Sequence, residues 1–152
     1  KGDVVFIEAD TLHAIGEGIL LAEIQENSDI TYRVYDYGRR DKNGNLRKLH
    51  IEKALEVTDL FPAKKVPRPE PHIGNCKYFT VDKVNLSGKI MNKLSGTVDE
   101  NSFLHILFLS GEGEIKNDNE DVRFKKGDSF FLPAGDGNYE ICGECEALFT
   151  YI

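Results

Sequence analysis

The chain has 152 residues, of which 40% are hydrophobic and 30% charged, and its formal net charge at pH 7 is −7. An acidic protein of this kind is not expected to bind nucleic acid or an anionic membrane surface, because both require a basic face. Three cysteines are too few for a disulfide scaffold and predict a reducing, cytoplasmic setting. No apolar run in the sequence is long enough to span a bilayer.

The first third of the chain alternates apolar segments with turn residues. Apolar-rich segments at 18–26 (GILLAEIQE) and 30–37 (ITYRVYDY) predict two β-strands. An Asn-Gly pair within 41–45 predicts a turn. Helix-forming residues at 49–57 (LHIEKALEV) predict one short helix.

Four of the five prolines follow, in the stretch from Pro62 to Pro71. Proline has no backbone donor and a fixed φ, so such a stretch cannot be helix interior or a central strand. We therefore predict a proline-rich linker at 59–71, which divides the chain into residues 1–58 and 72–152.

The remainder of the chain carries only β signals. Short apolar runs separated by Gly, Asn and Asp predict strands at 76–86, 89–94, 103–111, 113–117, 121–124, 128–135 and 147–152. Many short strands with turn residues between them are typical of a sandwich or barrel. The composition and pattern thus indicate a mainly β fold with one short helix.

One local motif occurs twice. Aligned at an offset of 125 residues, 1–13 (KGDVVFIEADTLH) and 126–138 (KGDSFFLPAGDGN) agree at five of thirteen positions. The order of a glycine, an apolar strand, a tight turn and a following side chain resembles the second conserved motif of the cupins. The resemblance implies that the last side chain of each copy points into a barrel.

The two copies differ at that last position, where the first has His13 and the second has Asn138. An imidazole there can bind a divalent metal, whereas an amide is a poor ligand for zinc. Asp10 stands in place of the motif glycine, and aspartate tolerates a positive φ better than most residues, so we expect its turn to form. A hydrogen-bonded structural role for His13 stays open.

A longer resemblance identifies a family. The segment TLHAIGEGILLAEIQENSDITYRVYDYGR (11–39) closely resembles the bacterial form of the type I mannose-6-phosphate isomerases, which belong to the cupin superfamily, and LRKLHIEKAL (46–55) resembles the segment that follows. It implies that 1–58 is the C-terminal portion of the zinc-binding catalytic cupin domain and that 72–152 is a metal-free C-terminal jelly roll. It also implies interconversion of mannose 6-phosphate and fructose 6-phosphate, with one zinc ion per full-length enzyme.

The same resemblance implies roles for individual residues. His13 matches the last zinc ligand of the family and Arg33 its catalytic arginine, while Glu23 and Asp29 match acidic residues of the same pocket, which we also take as catalytic. The other zinc ligands of the family come from a Gln-x-His pair and a further Glu. No Gln-x-His occurs in this sequence, so we expect those ligands upstream and the chain itself to be an inactive fragment.

The residues themselves suit that chemistry. Isomerisation moves a proton between C2 and C1 of the sugar while negative charge grows on the carbonyl oxygen, which a metal and a guanidinium stabilise. A nearby carboxylate or histidine can move the proton, and the identity of the base is left open. Glu23 and Arg33 would each share a strand face with apolar neighbours, which suits a ligand-filled barrel; a solvent-facing Glu–Arg pair is the alternative.

Other candidates carry weaker signals. Cys142 and Cys145 form a Cys-x-x-Cys that we place in a hairpin, without a redox or zinc role. A basic run could meet a sugar phosphate but is more often a solvated loop; it comprises Arg39, Arg40, Arg47 and Lys48. The other histidines lack ligand spacing and are interpreted as structural or exposed: His50, His72 and His105.

A second function from another class fits the same sequence. The missing zinc ligands and Asn138 favour a non-catalytic, cupin-like sugar-binding or regulatory module. The oligomeric state is left open.

Overall fold

A computed structural model describes residues 2–62, 71–89, 91–118 and 120–152. The chain divides into two compact units, Lys1–Val66 and Pro67–Ile152. Much of the predicted linker, residues 63–70, lies outside the described residues, so the predicted domain bounds stay a prediction. In the described part of the chain, no helix has the length and apolar character required to cross a membrane.

The first unit contains the one helix described, α1 (Ile51–Val57), which confirms the helix predicted from the sequence. His50 is its N-cap residue. At the other end, Thr58 donates both its backbone N–H (2.8 Å) and its hydroxyl (2.6 Å) to the carbonyl of Ala54. These two bonds cap the C-terminal end of the helix, and Ala54, which accepts them, is buried.

The strands predicted at 18–26 and 30–37 are wrong for this structure. Neither segment enters a strand ladder in the described part of the first unit, where the one β-bridge joins Arg40 and Leu46. A strand satisfies its backbone N–H and C=O groups only through a neighbouring strand. The apolar side chains that predicted these strands stay uncovered, and Leu20 is 92% exposed.

The second unit is built from antiparallel strands. They are β1 (Gly74–Asn75), β2 (Thr80–Leu86), β3 (Lys93–Val98), β4 (Leu104–Asn117), β5 (Asp121–Lys125), β6 (Ser129–Leu132) and β7 (Gly137–Tyr151). The mainly β fold is therefore confirmed. Several bounds differ from the predicted ones: the strands predicted at 103–111 and 113–117 are one continuous strand, and neither β1 nor the first half of β7 was predicted. The strand predicted at 89–94 lies at Lys93–Val98, and those predicted at 76–86 and 128–135 are shorter, at Thr80–Leu86 and Ser129–Leu132.

The two long strands organise the second unit. β4 and β7 pair with each other along most of their length. On its other edge, each of them pairs with one strand over its first part and with a different strand over its second part. β7 pairs first with β3 and then with β2, whereas β4 pairs first with β6 and then with β5. Between these halves the register shifts after Phe108, and Gly111 and Gly143 adopt positive φ angles of 85° and 137°. Such irregularities bend strands.

Both halves of the bent sheet contribute to one hydrophobic core. Phe108 of β4 is fully buried and its ring stacks on Phe124 of β5, with 3.6 Å between centroids. Ile106, Ile141 and Phe149 belong to the same buried cluster. Since burial of an aromatic or branched aliphatic side chain contributes about 1.5–3 kcal/mol, this cluster stabilises the bent sheet.

Candidate functional site

Both copies of the repeated motif form the same turn. Asp10 and Gly135 hold equivalent positions and have positive φ angles of 66° and 78°. In each copy the next residue donates its backbone N–H to the carbonyl three residues earlier, at 3.3 Å in the first copy and 3.1 Å in the second. The prediction that aspartate can replace the motif glycine in this turn is confirmed.

The turn at Asp10 leads directly to His13, which is exposed. The Nδ1 atom of His13 lies 2.8 Å from the carbonyl oxygen of Thr11. A carbonyl can only accept, so Nδ1 carries the proton and donates, and in the neutral form of the ring Nε2 has the free lone pair. In metal sites, a hydrogen bond from the ring nitrogen that does not bind the metal typically orients the imidazole. The bond from Nδ1 to the Thr11 carbonyl is of this kind, so His13 fits a role as one metal ligand through Nε2.

The last side chain of the second copy also lies at the surface. Tyr139 packs against the core with its ring 6.4 Å from that of Phe149. Successive side chains of a strand alternate in direction, so Asn138 faces away from the core. There it is exposed, and its Oδ1 accepts a hydrogen bond from the Thr97 hydroxyl at 2.8 Å. The expectation that this position points into a barrel is therefore wrong for Asn138, and His13 is likewise exposed and lies outside any strand of the described chain.

The predicted acidic site residues lie on the surface of the first unit. Glu23 and Asp29 are both exposed and stand in segments without secondary structure. Over the described residues, no group of three or more His, Cys, Asp and Glu side chains is arranged to hold a metal ion. The structure therefore does not bring Glu23, Asp29 and His13 together into a metal centre.

Arg33, the predicted catalytic arginine, is half-buried and is held by His50. The Arg33 backbone N–H donates to Nδ1 of His50 at 3.3 Å. In return, the His50 backbone N–H donates to the carbonyl oxygen of Arg33 at 2.8 Å. No local pattern in the sequence indicates this pairing, because it joins positions 17 residues apart.

Arg33 and His50 close a hairpin-like loop that contains the basic run. The Arg47 guanidinium lies 3.2 Å from the Asp36 carboxylate, and Arg40 donates to the carbonyl of Gly44 at 2.7 Å. At the tip of the loop, hydrogen bonds from the backbone N–H groups of Asn45 and Asn43 lower the pKa of Asp41, and the bond from Asn45 has the larger effect. The Arg40 and Arg47 guanidinium groups are thus engaged within their own loop, which favours the structural interpretation over phosphate binding for these two residues.

Two histidines of the second unit also have structural partners. His72 donates from Nδ1 to one oxygen of Asp82 at 2.6 Å, and the Tyr151 hydroxyl donates to the other at 2.9 Å. Burial, and then the bond to Asp82, raise the pKa of Tyr151. His105 on β4 is hydrogen-bonded to Ser129 on β6 at 2.7 Å. These contacts depend on strand pairing and carry no sequence signal.

A cleft of about 260 Å³ opens beside β4, β5 and β6. The apolar lining residues include Ile115, Val122 and Phe130. The polar lining residues are an amide and two carboxylates, namely Asn117, Glu120 and Asp136. Asn117 and Asp136 are hydrogen-bonded to each other at 3.1 Å. Small-molecule sites usually occupy about 300–1,000 Å³, so the cleft suits at most a small ligand.

The Cys-x-x-Cys lies within β7 and not in the hairpin we predicted. The Cys142 thiol donates to Glu140 at 3.2 Å, whereas Cys145 belongs to the buried core. Residues three apart in a strand lie about 10 Å apart and face opposite sides, too far for a disulfide. All three cysteines are free.

The thiol of Cys142 offers a pH test of this contact. Its hydrogen bond to Glu140 is the main cause that raises its pKa, with burial second. Glu140→Ala removes the acceptor and the negative charge, so the Cys142 pKa should fall. In a Cys76→Ser background, alkylation by iodoacetamide should then reach half its limiting rate at lower pH. Glu144→Ala, an exposed change on the same strand, should leave that midpoint in place; equal midpoints for all three proteins would contradict the assignment.

Comparison with known proteins places the chain in a family. The model of the mannose-6-phosphate isomerase cupin domain matches residues 71–152. The mannose-6-phosphate isomerase ManA of Bacillus subtilis is 38% identical over 160 aligned positions, which cover 99% of this chain and 49% of that protein. The mannose-6-phosphate isomerase of Streptococcus mutans is 33% identical, with 99% of this chain and 48% of that protein covered. The chain thus spans about half the length of the curated relatives it matches.

A solved structure agrees with this. The crystal structure of the mannose 6-phosphate isomerase from Bacillus subtilis superposes with a TM-score of 0.64 at 33% sequence identity, over 83% of this chain and 41% of that one. The predicted cupin fold is therefore confirmed. With a family model that matches more than half of its residues, the chain belongs to the mannose-6-phosphate isomerase family and carries that family's cupin domain at residues 71–152.

Proposed function

We propose that this chain is the C-terminal half of a zinc-dependent enzyme that interconverts mannose 6-phosphate and fructose 6-phosphate in the cytoplasm. The observation that carries the proposal is the similarity to proteins named mannose-6-phosphate isomerases over 99% of the chain, which includes the first unit with its site residues. Three free cysteines support a reducing compartment.

The surface of the first unit supports the view that a further half completes it. Among the described residues, 20 of the 24 exposed large hydrophobic side chains lie in the first unit. Soluble proteins rarely leave large contiguous apolar patches uncovered. A complementary half of the enzyme would supply the neighbouring strands that 18–26 and 30–37 lack here, and would cover these side chains.

Zinc would be held in part by His13. Its Nδ1–H is engaged by the Thr11 carbonyl, and the remaining ligands would come from the complementary half. When bound, the ion would stabilise the negative charge that grows on the substrate carbonyl oxygen. His13 on its own is too few ligands, because catalytic zinc sites use about three from the protein.

The other site residues would act on the sugar phosphate directly. The Arg33 guanidinium would stabilise the same developing charge, since a fixed cation in a water-excluded site is a strong electrostatic catalyst. Glu23 or Asp29 would move the proton between C2 and C1, which requires an ionised carboxylate close to the substrate. In the completed barrel, these side chains would share one pocket.

A comparison of the isolated chain with the joined enzyme tests the proposal. The 152-residue chain should show no mannose 6-phosphate turnover in a coupled assay and should bind zinc with Kd weaker than about 1 μM. Joined to the N-terminal half of the Bacillus subtilis enzyme, it should turn over substrate and retain about one zinc per protein. His13→Ala in the joined protein should lose the zinc, whereas His105→Ala should keep it.

Two outcomes would contradict the proposal. Turnover by the isolated chain, or tight zinc binding that requires His13, would show that the site is complete without another half. A joined protein that folds and holds zinc without turnover would favour the alternative, a non-catalytic sugar-binding or regulatory module.

A further inference from the structure

His50 holds both backbone polar groups of Arg33. Its ring nitrogen Nδ1 accepts the Arg33 N–H at 3.3 Å, and its own backbone N–H donates to the Arg33 carbonyl at 2.8 Å. In an ordinary strand pair both bonds would join backbone to backbone. Here a side chain supplies one of them, so the contact depends on the identity of residue 50.

The imidazole of His50 is itself fixed by the start of α1. The carbonyl of His50 accepts the backbone N–H of Ala54 at 2.9 Å, the first bond of the helix. Its ring lies 6.1 Å from that of Tyr32, and the Lys53 ammonium lies 5.8 Å from the Tyr32 ring. The helix, the aromatic contact and the hydrogen bond therefore define one orientation of the ring.

Accepting an N–H also defines the protonation of the ring. Nδ1 must present its lone pair to Arg33, so the neutral imidazole carries its proton on Nε2. This tautomer is opposite to that of His13, whose Nδ1 donates to a carbonyl. The two histidines of the first unit are thus distinguishable by the nitrogen that is protonated.

We propose that His50 is a positioning residue for Arg33, which rests on the proposed function of Arg33 in isomerisation. No hydrogen bond or ion pair holds the Arg33 guanidinium among the described residues. His50 holds the Arg33 backbone at both its N–H and its carbonyl, and so fixes the position of the Cα atom from which the side chain extends. A displacement of about 1 Å at a catalytic group can cost about 100-fold in rate.

Nuclear magnetic resonance of the 152-residue chain tests the contact. Ring ¹⁵N spectra should show His50 as the Nε2–H tautomer, and the Arg33 amide should exchange slowly with solvent. His50→Ala should accelerate that exchange at least tenfold, whereas His50→Asn, whose Oδ1 can take the place of Nδ1, should restore most of the protection. His105→Ala, which alters a histidine of the other unit, should leave the Arg33 amide unchanged.

Kinetics of the enzyme joined to its complementary half test the consequence. His50→Ala should lower kcat at least tenfold with KM within about twofold and zinc content unchanged, and His50→Asn should recover most of kcat. Full kcat in His50→Ala, or an asparagine variant that protects the Arg33 amide without recovering kcat, would overturn the proposal. Absence of turnover in the unsubstituted joined enzyme would instead overturn the proposed function, while amide exchange still reports the contact.

Discussion

Replacing Arg33 with alanine in the joined enzyme should lower kcat for mannose 6-phosphate by about 1,000-fold or more. The guanidinium is proposed to meet charge that develops only on the way to the enediol, so its loss acts on the transition state more than on substrate binding. The zinc content should not change, because arginine is not a metal ligand. A coupled isomerase assay together with elemental analysis measures both quantities.

Arg40→Ala is the matched control for this prediction. Arg40 lies in the same loop, but its guanidinium donates to the carbonyl of Gly44, which is exposed at the loop tip. Its removal should change kcat by less than about threefold. If Arg33→Ala retained turnover, or if both variants lost it equally, the assignment of Arg33 would be wrong.

Replacing Gly111 with alanine should destabilise the second unit by about 3–5 kcal/mol. Gly111 has a φ of 85°, and a Cβ there would overlap the backbone carbonyl of Glu144 and lie 2.7 Å from Cα of Cys145. Both obstacles belong to the backbone of β7, which cannot move aside without breaking its pairing with β4. Urea unfolding of the 152-residue chain, followed by circular dichroism, measures the loss.

Gly127→Ala is the control that separates two contributions to this destabilisation, the steric overlap and the unfavourable backbone conformation. Gly127 has a similar φ of 91°, but a Cβ there would meet nothing within 4 Å. This variant should lose only about 1–2 kcal/mol, the cost of the left-handed conformation for a residue with a side chain. If both variants lost the same free energy of unfolding, the close approach of β4 and β7 would not explain the requirement for glycine at position 111.

Elements fixed by neighbouring residues could be predicted from the sequence. The helix at Ile51–Val57 and the repeated turn at Asp10 and Gly135 use bonds between residues three or four apart. Their formation therefore depends on local residue types. The family, and with it the cupin fold, was also readable, because the segment 11–39 is long and specific.

Strand extents were less accurate because ladders are non-local. Gly111 and Gly143 look like strand ends in the sequence, yet both lie inside long strands that continue through a bend. Conversely, 18–26 and 30–37 have strand-like composition but no neighbouring strand among the described residues. Composition predicts that a segment can be a strand, and only a partner in the correct register makes it one.

The candidate site divides in the same way. The sequence by itself determined the chemical types that we propose for the site, an imidazole at His13, a guanidinium at Arg33 and two carboxylates, because the family resemblance acts on residue identity. Only the tertiary structure decided that His13 presents Nε2, that Asn138 faces away from the core, and that His50 clamps Arg33. Each of these depends on hydrogen bonds or packing in the folded chain. A single histidine or asparagine in a sequence does not indicate which residue it will contact.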